Sequence, residues 1–232
     1  MMNSSEWEKL RNNYEILIEK IEKSAILSGR KKEDIIIVAA TKGVPSYKIE
    51  MAIDFGIKII GENRVQEAEK KIQEVKKECE WHMIGTLQRN KVKKALNIFK
   101  MIQSVDSLKI AEEINKRAQG EYPVLIEINT SFEETKHGFE PDEFLKNFEN
   151  LIKFKNLSIQ GLFTLGPYPV EEKKSRKAFS LLRELKEKIE KEYGVNLKYL
   201  SMGMSEDFEY AIEEGANMIR IGRFLFGERK PL

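Results

Sequence analysis

Several things are scarce in this chain. Its 232 residues include one cysteine, Cys79, so no internal disulfide can form. Cys79 stands between Glu78 and Glu80, whose negative charges raise a thiol's pKa and leave it unreactive. Histidine is limited to His82 and His137, and no carboxylates cluster at ligand spacing, which speaks against a metal centre. No apolar run approaches the ~20 residues of a membrane span, and the N-terminus has no signal-type apolar core. A soluble, cytoplasmic protein is therefore expected. Nor is there a block of one charge. The 40 basic and 38 acidic residues leave a net +2, and they interleave along helices, as in Glu184–Lys191. Such runs read as solvated helix faces carrying i,i+4 pairs rather than as a nucleic-acid surface. Neither nucleic acid nor a membrane is expected as a partner.

What the chain does have is a regular alternation. Hydrophobic residues make up 41% and charged residues 34%, enough for a full core under a densely charged surface. Ser5 and Glu8 form a capping-box pair, and Trp7, Leu10, Tyr14, Leu17, Ile18, Ile21 and Ala25 follow a 3.6-residue period up to Gly29. Short apolar strands come next, at Ile35–Ala40, Ile57–Gly61, Trp81–Gly85, Met101–Val105, Val124–Ile128, Ile159–Leu165, Leu197–Met202 and Met218–Gly222. Amphipathic helices fill the gaps, among them Arg64–Lys77, Gln88–Leu96, Glu171–Tyr193 and Ser205–Glu214, with Gly56, Gly194 and Gly215 placed as helix C-caps. Eight strand–helix alternations without a long polar linker predict an α/β fold, a single (β/α)8 TIM-type barrel over residues 35–227. An extra N-terminal helix within residues 1–30 would cover one mouth or flank.

In such barrels the chemistry lies at the C-terminal ends of the strands. Lys42 ends the first strand. An apolar strand closing on lysine is often only a chain emerging into water; on a barrel rim facing a phosphate site, a partly desolvated amine suggests pyridoxal phosphate held as a Schiff base. Arg220 alternates with Ile219 and Ile221 and so projects to the opposite face, either into a salt bridge with a partner such as Glu62 or toward a cofactor. Ser201-Met202-Gly203-Met204-Ser205 and Gly222-Arg223 follow strands seven and eight, where barrels often bind phosphate, although Ser205 also suits the N-cap of its own helix. Asn63 reads as a helix N-cap or a rim group, and His82 as a core histidine or a ligand contact. A rim that binds some other phosphorylated metabolite remains a separate reading.

These segments also carry a resemblance. Val38-Ala39-Ala40-Thr41-Lys42, Gly61-Glu62-Asn63-Arg64-Val65-Gln66-Glu67, Trp81–Lys91, Ser131–Phe139, Leu200–Asp207 and Ile219-Arg220-Ile221-Gly222 occur in this order. Together they resemble the pyridoxal phosphate homeostasis protein family, related to the N-terminal barrel of alanine racemase and hence to pyridoxal phosphate fold type III. The resemblance covers nearly the whole chain. It implies pyridoxal 5'-phosphate as cofactor, Lys42 as the Schiff-base lysine and Arg220 facing the pyridine nitrogen. It further implies Ser205, Gly222 and the Arg223 backbone at the phosphate and Asn63 near the ring. His82, Ser201 and Met202 complete the candidate cofactor-binding set, with no catalytic residue assigned. The implied role is non-catalytic, a monomer or weak dimer that buffers the cofactor or delivers it to apo-enzymes that depend on it. The rival is a small amino-acid racemase of weak activity, with Tyr168 as its only candidate second acid/base. Phe132 stands where the family often has glycine, and Thr135 lies near its serine, which leaves the conformation of that loop open.

Overall fold

The structure, a computed structural model, describes residues 4–228. Eight strands pair in parallel in chain order: β1 (Ile36–Ala40), β2 (Ile59–Glu62), β3 (Glu80–Met83), β4 (Met101–Val105), β5 (Tyr122–Glu127), β6 (Leu157–Phe163), β7 (Tyr199–Ser201) and β8 (Met218–Ile221). β8 returns to β1, with Val38 opposite Arg220, so the sheet closes and no edge is left to template aggregation. Helices α2 (Ser46–Asp54), α3 (Val65–Glu74), α4 (Val92–Ile98), α5 (Leu108–Arg117), α6 (Pro141–Ile152), α7 (Glu172–Tyr193) and α8 (Phe208–Glu213) make the crossovers. The expected barrel is the fold observed.

Strand alternation divides the side chains into two sets. One set, including Ala39, Ile60, Ile102, Ile126, Leu200, Met202, Ile219 and Ile221, packs outward into the main core beneath the helices. The other, with Val38, Met101, Leu125, Phe163 and Met218, fills the barrel interior. The interior positions next in register are polar, and they build the site.

Helix α1 (Ser4–Leu27) lies on the flank, packed against α8 and α9 (Arg223–Phe226). It buries Leu10, Leu17, Ile21 and Ala25, and Asn13 Nδ2 donates to the Leu225 carbonyl at 3.0 Å. Some expected boundaries move. Because α1 starts at Ser4, Ser5 lies inside its first turn and is not the N-cap. α3 stops at Glu74, where Val75 turns extended and buries its side chain. A 3-10 turn (Arg89–Lys91) precedes α4. α8 begins at Phe208 rather than Ser205, since Asp207 occupies the capping position and its Oδ1 accepts the Met204 N–H at 2.6 Å. α9, which the apolar pattern does not signal, follows directly on Gly222.

Candidate functional site

Arg220 points into the barrel and is only 3% exposed. Its Nη1 donates to Ser201 Oγ at 2.8 Å, its Nη2 donates to the Thr164 carbonyl at 2.6 Å, and its Cζ lies 4.0 Å from the centre of the Phe163 ring. The salt bridge to Glu62 does not form: that carboxylate is held by Lys71, and no carboxylate reaches ion-pair distance of Arg220 among the described residues. Burial pushes the Arg220 pKa down to about 10, against the opposing charges of Asp207 and Glu127. The cation is therefore held by neutral acceptors and a ring face.

From Arg220 a hydrogen-bonded chain crosses the interior. Ser201 Oγ donates to Gln103 Oε1 at 2.7 Å, and Gln103 Nε2 donates to His82 Nδ1 at 2.9 Å. Accepting at Nδ1 leaves the His82 ring hydrogen on Nε2, which faces Glu80 Oε2 at 3.5 Å. Burial pushes the His82 pKa down to about 4, with Glu80 opposing, so the ring is neutral near pH 7. His82 thus belongs to the interior network and lines neither rim cavity.

At the rim, a cavity of about 120 Å³ is lined by Ala40, Ser205, Arg220, Gly222 and Arg223, by Pro167 and Tyr168 of the loop after β6, and by Met204 and the carboxylates Glu206 and Asp207. Ser205 acts as a cap, but for a different helix from the one expected. Its Oγ accepts the N–H groups of Gly222 at 3.3 Å and Phe224 at 3.1 Å, tying the loop after β7 to the start of α9. Gly203 has φ +91, and a Cβ there would lie 2.5 Å from the Ala211 Cβ, so only glycine lets α8 pack so closely. Met202 is buried in the outer core, so its side chain faces the helices and not the cavity.

Lys42 occupies the turn just beyond Ala40, half-buried, with no hydrogen bond or ion pair at its amine among the described residues. The turn itself is firmly tied. Thr41 Oγ1 donates to Glu62 Oε1 at 2.6 Å, Lys71 Nζ donates to the Thr41 carbonyl at 2.5 Å, and the Gly43 N–H donates to Glu67 Oε1 at 2.6 Å. Burial raises the Glu62 pKa despite Lys71. For Glu67 burial also raises it, but the hydrogen bonds from Lys71 and Gly43 prevail and hold it low.

Asn63 lies on the rim one strand over. It is not the cap of α3, whose N-cap is Arg64. It lines a neighbouring cavity of about 850 Å³ together with Gly85 and His137. Gly85 is needed there because a Cβ would sit 2.7 Å from the Asn63 Cα. In the loop after β5, Phe132 has φ 55, the region glycine favours, and Lys136 Nζ donates to Glu133 Oε1 at 2.7 Å and to the Gly166 carbonyl at 2.5 Å. The Cys79 thiol is raised to about 11, and burial is the cause rather than the flanking carboxylates.

Sequence reasoning thus brings Ser205, Arg220, Gly222 and Arg223 to the wall of one cavity, with Ser201 behind Arg220, whereas Lys42, on the turn after β1, lines neither rim cavity. It missed Gln103, Glu127, Lys71 and Glu67. A polar Gln103 between Ile102 and Ser104 in a strand was a usable signal, whereas Glu67 and Lys71, four apart on a helix, look like any surface pair.

Residues 8–230 match the family model described as "Alanine racemase, N-terminal domain", which makes this a barrel of that class. The pyridoxal phosphate homeostasis protein of Aquifex aeolicus is 44% identical over 218 residues, covering 92% of this chain and 96% of the relative. The human protein of that name is 37% identical over 210 residues, covering 83% and 76%. The chain therefore belongs to the pyridoxal phosphate homeostasis protein family. Among solved structures, PipY of Synechococcus elongatus with PLP bound superposes with a TM-score of 0.79 at 30% identity, over 89% of this chain and all of that one. Alanine racemase of Clostridium difficile, at 19% identity and TM-score 0.75, covers 97% of this chain but 58% of the racemase and shares the fold.

Proposed function

We propose that this chain binds pyridoxal 5'-phosphate in the cavity above β7 and β8 and acts in cofactor homeostasis, holding and releasing the cofactor without strong catalysis of its own. The observation that carries this reading is Arg220, a buried cation with no carboxylate at ion-pair distance among the described residues, facing a cavity that Ser205, Gly222 and Arg223 also wall. These residues fit the group. A permanently protonated guanidinium donates to an unprotonated ring nitrogen, and the small polar residues suit a phosphate. Ser201 is the first link of the chain that holds Arg220, and His82 the last. Met202 is not placed against the cofactor, since its side chain faces the helices and its N–H donates to the Met218 carbonyl at 3.1 Å, and Asn63 lies on the Lys42 side of the rim. When bound, the cofactor supplies an aldehyde to which a lysine amine adds with loss of one water. Lys42 is the amine assigned here.

An arginine at the ring nitrogen keeps that nitrogen unprotonated, which weakens the ring as an electron sink and favours storage over turnover. PipY, a relative, is described with PLP bound, and the homologues are named for homeostasis rather than for a reaction. Delivery to apo-enzymes and residence in the cytoplasm are part of the proposal. The visible spectrum of the protein loaded with pyridoxal phosphate tests it. Wild type is expected to show a band that borohydride abolishes, with the label on Lys42; Lys42→Ala is expected to lose both while keeping some non-covalent cofactor. A label elsewhere would overturn the site, and racemisation or transamination near the ~10 s⁻¹ enzyme median would overturn the role.

A further inference from the structure

Beneath Lys42 lies a buried ionic cluster that makes no part of the cavity wall. We infer that Glu62, Glu67 and Lys71 form a clamp that fixes the Thr41-Lys42-Gly43 turn and so aims the Lys42 amine; they are positioning residues, and the inference rests on the assignment of Lys42 above. Lys71 Nζ bonds Glu62 Oε1 at 2.6 Å, Glu67 Oε1 at 2.7 Å and the Thr41 carbonyl at 2.5 Å. Glu62 Oε1 takes the Thr41 hydroxyl at 2.6 Å, and Glu67 Oε1 takes the Gly43 N–H at 2.6 Å. The lysine is thus bracketed, with its preceding carbonyl and its following N–H both held by charged side chains.

These bonds appear where the strand ladder runs out. The Thr41 N–H still pairs with the Gly61 carbonyl at 3.0 Å, but past it the chain turns, with Gly43 at φ +71, and the clamp replaces the ladder. Fold stability alone is a poor account of the cluster. Glu62 is fully buried and Lys71 nearly so, and a buried ion pair is seldom more stabilising than well-packed apolar side chains. Moreover, Glu62 Oε2 is buried without a hydrogen-bond partner among the described residues, a cost that a purely structural device would avoid. What the cluster does supply is geometric precision at a turn that no strand neighbour controls.

The test compares two ligands on four proteins. Pyridoxine 5'-phosphate has an alcohol in place of the aldehyde, so it reads the phosphate and ring contacts but cannot bond Lys42. Lys71→Met and Glu67→Ala are expected to bind it as wild type does, while their visible band with pyridoxal 5'-phosphate forms at least about tenfold more slowly. Glu67→Gln, which keeps an acceptor for the Gly43 N–H, is expected to recover most of the rate. In ligand-free Glu67→Ala the Gly43 amide is expected to exchange faster than in wild type. Should Lys71→Met fail to fold, Glu67→Ala decides the matter, because the Glu67 side chain is 25% exposed and its loss is tolerable. A wild-type rate in Glu67→Ala, or equal losses for both ligands, overturns the clamp while the cofactor assignment stands. A borohydride label on a lysine other than Lys42 in wild type overturns both.

Discussion

Two buried residues inside the barrel titrate in opposite senses. Glu127, at the inward end of β5, has its pKa raised from 4.5 to about 7, first by burial and then by Asp106, with Arg220 opposing. An acid raised in the fold binds its proton more tightly folded than unfolded. Its contribution is fully present below pH 4.5 and is lost as pH rises through about 7, a change of at most about 3 kcal/mol. His82 behaves conversely. Its pKa, lowered from 6.5 to about 4, makes stability fall as pH drops across that interval. Where the two windows overlap, their slopes oppose. Glu127→Gln removes one of them, so relative to wild type the variant's unfolding free energy should gain with rising pH between about 4.5 and 7. Urea titrations at a series of pH values would show this; a profile parallel to wild type would refute the Glu127 assignment.

At the scale of elements, the loop after β7 and the helix after β8 form one unit through Ser205 Oγ. Ser205→Ala removes the acceptor for two N–H groups at the start of α9, a change comparable to losing a helix cap, about 1 kcal/mol. It is also expected to weaken pyridoxal 5'-phosphate binding about tenfold while leaving pyridoxal, which lacks the phosphate, nearly unaffected. Paired dissociation constants for the two vitamers would check this. Equal losses would mean that Ser205 only supports the loop. Nearby, Lys136 and Glu133 tie the loop after β5 to the one after β6, since Lys136 Nζ donates to the Gly166 carbonyl and Glu133 Oε1 accepts the Tyr168 N–H at 3.1 Å. Tyr168 therefore borders the cavity from a tethered loop, 71% exposed.

For the molecule as a whole, closure is the governing fact. Every strand has two neighbours, and α1 is bound to α9 through Asn13 and to α8 through the 2.8 Å Lys20–Glu209 pair. A barrel so closed and buttressed is expected to unfold as one domain. Calorimetry should give a single transition whose van't Hoff and calorimetric enthalpies agree. An early, separate melting of α1 would show that the helix is a detachable addition to residues 35–227.

The sequence by itself determined what depends on local pattern. Eight apolar stretches spaced by amphipathic helices dictated the barrel, and two-residue alternation at Ile219-Arg220-Ile221 placed Arg220 inside it. The same alternation, applied to Leu200-Ser201-Met202, separates the inward Ser201 from the outward Met202. Only the tertiary structure decided which distant groups meet. Glu67 and Lys71 have the spacing of a solvent-exposed pair, yet the β1–β2 pairing brings α3 beside the turn after β1 and makes them part of the Lys42 turn. Ser205 looks like the cap of the helix that follows it, but Asp207 takes that place and frees the hydroxyl for a helix 17 residues onward at Gly222. The physical reason is common to these cases. Periodicity encodes which face a side chain takes, a property of neighbouring residues, whereas its partner is set by strand stagger and helix packing, which join positions tens to hundreds of residues apart.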